Sequence, residues 1–287
     1  MNIHIFQVPY DSGRRDERMG AGPGHLLDRG LANYLRAHGH MVWISEIESS
    51  DPFPSEIKTS FELYRQLGAQ VREGLDQGRL PLVLSGNCSA ALGGIAGWEG
   101  ATGCDLGILW LDAHGDFNTP DISPSGFLDG MGLATAAGLG WKSLALSIPG
   151  FRPVLPERIV HLGGRDFDRD EEALLRQQGV ALVTAPQVRE NGLAESLEPA
   201  LDRLRRSVRD VYLHLDLDGL DPLETPANLF PPQMAWMWTT WSQPSASSAS
   251  ASPSPAWASP PTTRATTRKK RPSRRLFDWS KRQSETG

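Results

Sequence analysis

Asp112, His114 and Asp116, in the run Asp112-Ala113-His114-Gly115-Asp116, and Asp216 and Asp218, in Asp216-Leu217-Asp218, are the residues of this chain best suited to chemistry. Side chains two apart on an extended strand project to the same face, so each run can gather its acids, and the first an imidazole, on one side. Four carboxylates crowded into a neutral site repel one another and are driven to protonate. Divalent cations offset the repulsion and hold the acids ionised. The economical reading is a metal site for two divalent ions. Oxygen donors with one imidazole suit Mn first and also accept Zn, Ni, Co or Fe.

Both runs need strands to deliver them. Residues 107–111 lead into the first and residues 211–215 into the second; each is short, mostly apolar and bounded by turn signals, as buried parallel strands read. Further strands are expected at 3–8, 41–44, 80–84, 158–162 and 180–184. Helical spacing covers 26–38, stopped by Gly39, then 55–77, 89–97, 129–138, 170–178 and 186–206. Residues 11–24 form a Gly-rich loop whose Arg14, Arg15 and Arg18 read as a solvated or subunit-contact surface ahead of an anion site. This alternation predicts an α/β fold, a three-layer α-β-α arrangement around a mostly parallel central sheet. Ligands of such folds gather at the carboxyl ends of strands, where Cys88, Asp112 and Asp216 all fall. No GxGxxG or Walker A pattern occurs, so nothing supports nucleotide binding.

The motifs Trp110-Leu-Asp-Ala-His-Gly-Asp-Phe-Asn-Thr-Pro120 and Leu215-Asp-Leu-Asp-Gly-Leu-Asp-Pro222 resemble, in this order and spacing, those of the ureohydrolase family of arginases and agmatinases. The resemblance implies an arginase-like fold and two metal ions bridged by Asp112 and Asp216. Cys88 and Asp116 would complete the ligands of the first ion, and His114 and Asp218 those of the second. It also implies homo-oligomers, as trimers or hexamers. Where the family reads Gly-Gly-Asp-His-Ser, this chain has Ser85-Gly86-Asn87-Cys88-Ser89. A thiolate at position 88 is a softer donor than imidazole and tilts the site towards Zn, Fe or Co, provided a cation ionises it. Equally, Cys88 reads as a small buried thiol at a strand-to-helix turn.

The chemistry the resemblance implies is hydrolysis of a C–N bond in a linear amidine. Two cations about 3.5–4 Å apart share a water, whose hydroxide attacks the trigonal carbon of a guanidinium or amide. Asp116 or Asp129 would pass a proton to the leaving amine. Asp129 stands where arginases carry a proton-shuttling histidine, and Phe127 where they carry an Asn. Loss of that Asn removes a partner for an amino-acid head group, which turns the expected substrate from arginine to a smaller or more apolar guanidino compound. Asn118 and Ser125 match positions that touch substrate in arginases, and Asp168 one that meets a substrate ammonium. Read from the residues alone, Asn118 and Ser125 are ordinary turn and cap residues and Asp168 the start of a helix.

With 287 residues, 39% hydrophobic content and a net charge of -5, the chain can bury a substantial core and shows no global affinity for polyanions, so neither nucleic acid nor a membrane is an expected partner. Two cysteines, Cys88 and Cys104, make no disulfide scaffold. The start lacks a signal-peptide pattern and no run reaches about 18 apolar residues, which leads us to expect a cytoplasmic protein.

After Phe230 the text changes to a Ser/Ala/Pro tract and then a basic run, residues 264–275. We read 1–230 as an arginase-like α/β domain whose last helix and central strand are missing, and 231–287 as a disordered, low-complexity tail. A shifted reading frame in a GC-rich gene produces this kind of replacement; translating the other frames beyond Pro231 would reveal the helix and strand if so. The alternative function is a non-catalytic family member whose basic tail serves interaction.

Overall fold

The computed structural model describes residues 1–50, 53–103 and 105–220. In chain order its strands are β1 (Asn2–Val8), β2 (Tyr10–Asp11), β3 (Arg14–Arg15), β4 (Met41–Glu46), β5 (Leu80–Ser85), β6 (Leu106–Leu111), β7 (Ile159–Leu162), β8 (Ala181–Val183) and β9 (Asp210–Leu215). The helices are α1 (Gly22–Asp28), α2 (Leu31–Ala37), α3 (Glu56–Asp76), α4 (Ala91–Thr102), α5 (Gly132–Ala136), α6 (Lys142–Ala145), α7 (Arg169–Gln178), α8 (Ala185–Asn191) and α9 (Leu193–Ser207).

Strands and helices alternate, and every pairing outside the short β2–β3 hairpin is parallel. Among the described residues the strands form two sheets, ordered β4-β1-β5 and β8-β7-β6-β9. The architecture is the expected three-layer α/β fold with parallel sheets and flanking helices. At the ends of these two sheets β5 and β9 each have one side without a described partner strand, and Leu213 and Leu215 of β9 are exposed. The region of the expected loss of a last helix and strand, the tail beyond 230 and Cys104 lie outside the described residues.

Apolar strand residues and helix faces make the core. Ile5 and Phe6 of β1, Ile108 and Trp110 of β6, Leu67 and Val71 of α3, and Ile95 and Trp98 of α4 are all fully buried. Burying each such side chain stabilises the fold by about 1.5–3 kcal/mol. Residues 26–38, expected as one helix, are instead α1 and α2, because Gly30 between them sits at φ +95°, a left-handed value that ends a right-handed helix. The helix expected over 186–206 is likewise divided at Gly192 into α8 and α9. The arginines of the loop after β1 are spent on ion pairs: Arg18 grips Asp11 with two hydrogen bonds of 2.8 and 2.7 Å, Arg15 meets Glu46 and Glu48, and Arg14 meets Glu17.

Glu99 on α4 is buried and accepts a hydrogen bond from the Arg152 backbone amide at 3.0 Å. Burial pushes its pKa up from 4.5 to about 7, against the lowering pull of that amide. The fold thus favours the protonated acid. That contribution is whole below about pH 4.5 and is lost as the pH rises through about 7. We expect Glu99→Gln to flatten this dependence by on the order of 1–3 kcal/mol. Urea midpoints of the two proteins at pH 5 and pH 7.5 test it: equal drops in stability would exclude Glu99 as the source.

Candidate metal centre

Strand register brings the acids together. Leu106 to Leu111 of β6 pair in order with Asp210 to Leu215 of β9, so the chain leaves the sheet at Asp112 and Asp216 side by side. The Asp216 amide donates to the Leu111 carbonyl at 2.8 Å and the Asp112 amide to the Leu162 carbonyl at 3.1 Å, which extends the ladder through both residues. β5 delivers Cys88 from its own carboxyl end, through a turn in which Gly86 packs on the Tyr10–Gly20 backbone. A Cβ there would lie 2.5 Å from the Tyr10 carbonyl oxygen, so only glycine fits.

Two groups of potential ligands result. Donor atoms of Cys88, Asp112, His214 and Asp216 lie within 4.8 Å of one another, as do those of Asp112, His114 and Asp218. Asp112 belongs to both; Asp216 belongs to the first alone. The Cys88 thiol donates to Asp216 Oδ2 at 2.9 Å and lies 3.9 Å from Asp112 Oδ2. His114 Nδ1 is 3.1 Å from Asp218 Oδ2 and 3.6 Å from Asp112 Oδ1. Backbone and indole donors fix the carboxylates: the His114 amide holds Asp112 Oδ1 at 2.8 Å, the Asp218 amide holds Asp216 Oδ1 at 2.8 Å, and Trp110 Nε1 holds Asp112 Oδ2 at 3.2 Å.

Asp116 follows on the same loop in a left-handed conformation, φ +49°. It is in neither group, yet it is 6% exposed and its Oδ2 has no hydrogen-bond partner among the described residues.

The electrostatics are those of a site short of positive charge. Burial, then Asp112 and Asp218, raises the Asp216 pKa to about 8. Burial, then Asp112, Asp129 and Asp216, pushes Asp116 well above the usual carboxylate range. The Cys88 thiol is driven up by burial and by Asp216. His114 shows the converse: burial opposes its charge, but hydrogen bonds to Asp112 and Asp218 outweigh it and lift its pKa to about 11. Burial lowers His214 to about 4 and leaves a neutral imidazole. A buried carboxyl oxygen with no partner on Asp116, an unpartnered Nε2 on His214 and mutually repelling acids are what a divalent cation would satisfy. The donor set therefore fits metal ions.

Around this centre, Asp129 is bound into the Cys88 turn. Its Oδ2 accepts from Asn87 Nδ2 at 2.9 Å, and its Oδ1 accepts from the Ser89 amide at 2.9 Å and hydroxyl at 2.8 Å. Asn118 Nδ2 donates to Asp168 Oδ2 at 2.9 Å, so these two candidates are joined. Asp168 also precedes α7 as its N-cap, where its amide donates to Glu171 at 3.2 Å. Ser125 lies exposed and accepts from the Phe127 amide at 3.2 Å. Phe127 is 43% exposed and borders a cavity of about 650 Å³ shared with Ser12, Arg14, Glu17 and Glu56. Sequence reasoning passed over His214 and Asn87; for His214 the available signal was its position two residues before Asp216, on the same strand face.

Comparison with known proteins finds relatives along most of the chain. The model of the arginase family matches residues 1–231. The arginase of Bacillus caldovelox is 34% identical over 239 residues, an alignment spanning 78% of each chain. An arginase of Staphylococcus aureus is 37% identical over 236 residues, 78% of this chain and 77% of its own. The crystal structure of arginase from Bacillus cereus superposes with a TM-score of 0.75 at 30% identity, covering 84% of this chain and 83% of that one.

Proposed function

The chain belongs to the arginase family, and on that premise we propose that it hydrolyses a C–N bond of a linear guanidino compound at the centre between β6 and β9. One observation carries the reading: a single buried carboxylate, Asp112, is common to two groups of ligand-type side chains at adjoining strand ends. Cys88, Asp112, His114, Asp116, Asp216 and Asp218 would hold two divalent cations, with Mn, Zn, Ni, Co and Fe as candidates, which when bound supply the charge that brings the pKa of a shared water towards neutrality.

The protein's own groups do the rest. Asp116, buried and with an uncommitted carboxyl oxygen, passes a proton to the departing amine. Asp129 has both oxygens tied to the Asn87–Ser89 turn, so we assign it to holding Cys88 in place rather than to proton transfer. Asn118 and Asp168, linked to each other, orient a polar end of the substrate, and Ser125 stands at the rim. Phe127 offers an apolar wall in place of a hydrogen-bonding one, which disfavours arginine.

The test is a panel of guanidino compounds, from methylguanidine to arginine, assayed for urea or ammonia with Mn, Ni, Zn and Co added separately. We expect metal-dependent product release, with arginine disfavoured about tenfold or more against apolar-tailed guanidines through one missing charge-assisted hydrogen bond. No product from any compound with any of these metals would overturn the proposal.

A further inference from the structure

The geometry points to His214 as a metal ligand of this chain, whose imidazole makes good the histidine absent at position 88, so that Cys88, Asp112, His214 and Asp216 bind one divalent cation through sulfur, nitrogen and oxygen. This rests on the proposed metal-dependent reading of the site and deepens it, because it names the donor set and with it the class of metal.

Several independent observations converge on His214. On β9 it lies two residues before Asp216 and so shares its face, and the register places it opposite Trp110, which in turn lies two residues before Asp112. Its ring stacks on the Trp110 indole with centroids 3.6 Å apart and planes 14° from parallel. The same indole donates to Asp112 Oδ2 at 3.2 Å, so one tryptophan orients both a carboxylate and an imidazole. His214 Nε2 is buried and has no hydrogen-bond partner among the described residues. The Asp112 oxygen that faces it is 4.0 Å away, too far for a hydrogen bond. A histidine serving only to pack would be expected to bond to something; this one ends beside a thiol and two acids.

The spacing suits coordination. All four donor atoms lie within 4.8 Å of one another. Metal bonds of about 2.0–2.3 Å in a tetrahedral site set donors about 3.3–3.8 Å apart, so the group closes on a cation by small side-chain movements. On binding, the Cys88 thiol releases its proton to solvent and the imidazole donates its lone pair, with no change in oxidation state. One sulfur, one nitrogen and two carboxylates favour Zn or Co over Mn. The second group, Asp112, His114 and Asp218, holds no sulfur and stays suited to harder ions.

Cobalt loading of the full chain tests this without reference to turnover. In the wild-type protein a thiolate-to-cobalt absorption band should saturate, and X-ray absorption at that loading should show one sulfur and an imidazole around the metal. His214→Phe keeps a ring against Trp110 but removes the nitrogen. It should weaken cobalt binding at the thiolate-bearing site more than about 100-fold, beyond the 10–100-fold typical of losing an outer-shell partner. Cys88→His combined with His214→Phe should recover that binding to within about tenfold of wild type while losing the thiolate band. A wild-type spectrum with sulfur but no imidazole overturns the inference, as does a folded His214→Phe protein with unchanged cobalt affinity. Metal-loaded wild type that releases no urea or ammonia would instead overturn the proposed activity and leave the ligand assignment standing.

Discussion

Asp112→Asn should lower product release by more than about a thousandfold and strip metal from both ligand groups. The substitution keeps the shape of the side chain but removes its charge. Asp112 is 1% exposed and is the residue the two groups have in common. Its Oδ1 faces His114 and its Oδ2 faces Cys88 and His214. Loss of a mere outer-shell partner costs about 10–100-fold in metal affinity or activity. A ligand shared by both ions is lost from each at once, which multiplies the two costs. Elemental analysis alongside a urea assay checks the result. Asp216→Ala is the informative contrast, because Asp216 lies in the first group alone and its loss should empty that site first. Two ions retained at wild-type affinity in Asp112→Asn would remove the basis of the proposed centre.

Much of this centre can be read from the chain because its acids follow apolar strands directly. Segments 107–111 and 211–215 are mostly apolar runs, and they appear as β6 and β9 with shifts of a single residue at the start. What a sequence does not carry is which strand lies beside which. β6 and β9 are paired across about a hundred residues, and that register sets Asp112 against Asp216 and Trp110 against His214. Without it, His214 reads as one polar residue in an apolar strand.

The contacts of Asp129 are hidden for the same reason, since the donors that bond to it, Asn87 and Ser89, come from another turn some forty residues away. Helix ends failed more locally. Spacing of apolar residues continues across Gly30 and Gly192, and only their positive φ values, +95° and +86°, reveal the breaks.

Asp116→Asn should turn over about 10²–10⁴-fold more slowly than wild type even at saturating metal. Burial and Asp112, Asp129 and Asp216 push the carboxyl well above its usual range, and bound cations would pull it back towards the ionised form, so it can take up a proton and pass it on. Its Oδ2 has no hydrogen-bond partner among the described residues, which leaves that oxygen available to a substrate nitrogen. An amide of the same shape can donate a hydrogen bond but cannot surrender a proton at neutral pH. The resemblance also makes Asp116 a ligand, and excess metal separates the two roles. Were ligation the whole of its contribution, saturating Mn or Co would bring the variant back to within about tenfold of wild type, whereas loss of a proton carrier persists however full the site. Proton transfer to the leaving amine should then depend on the basicity of that amine more steeply in the variant than in the wild type. A series of guanidines graded in leaving-group pKa measures this slope, and equal slopes would remove Asp116 from the proton path.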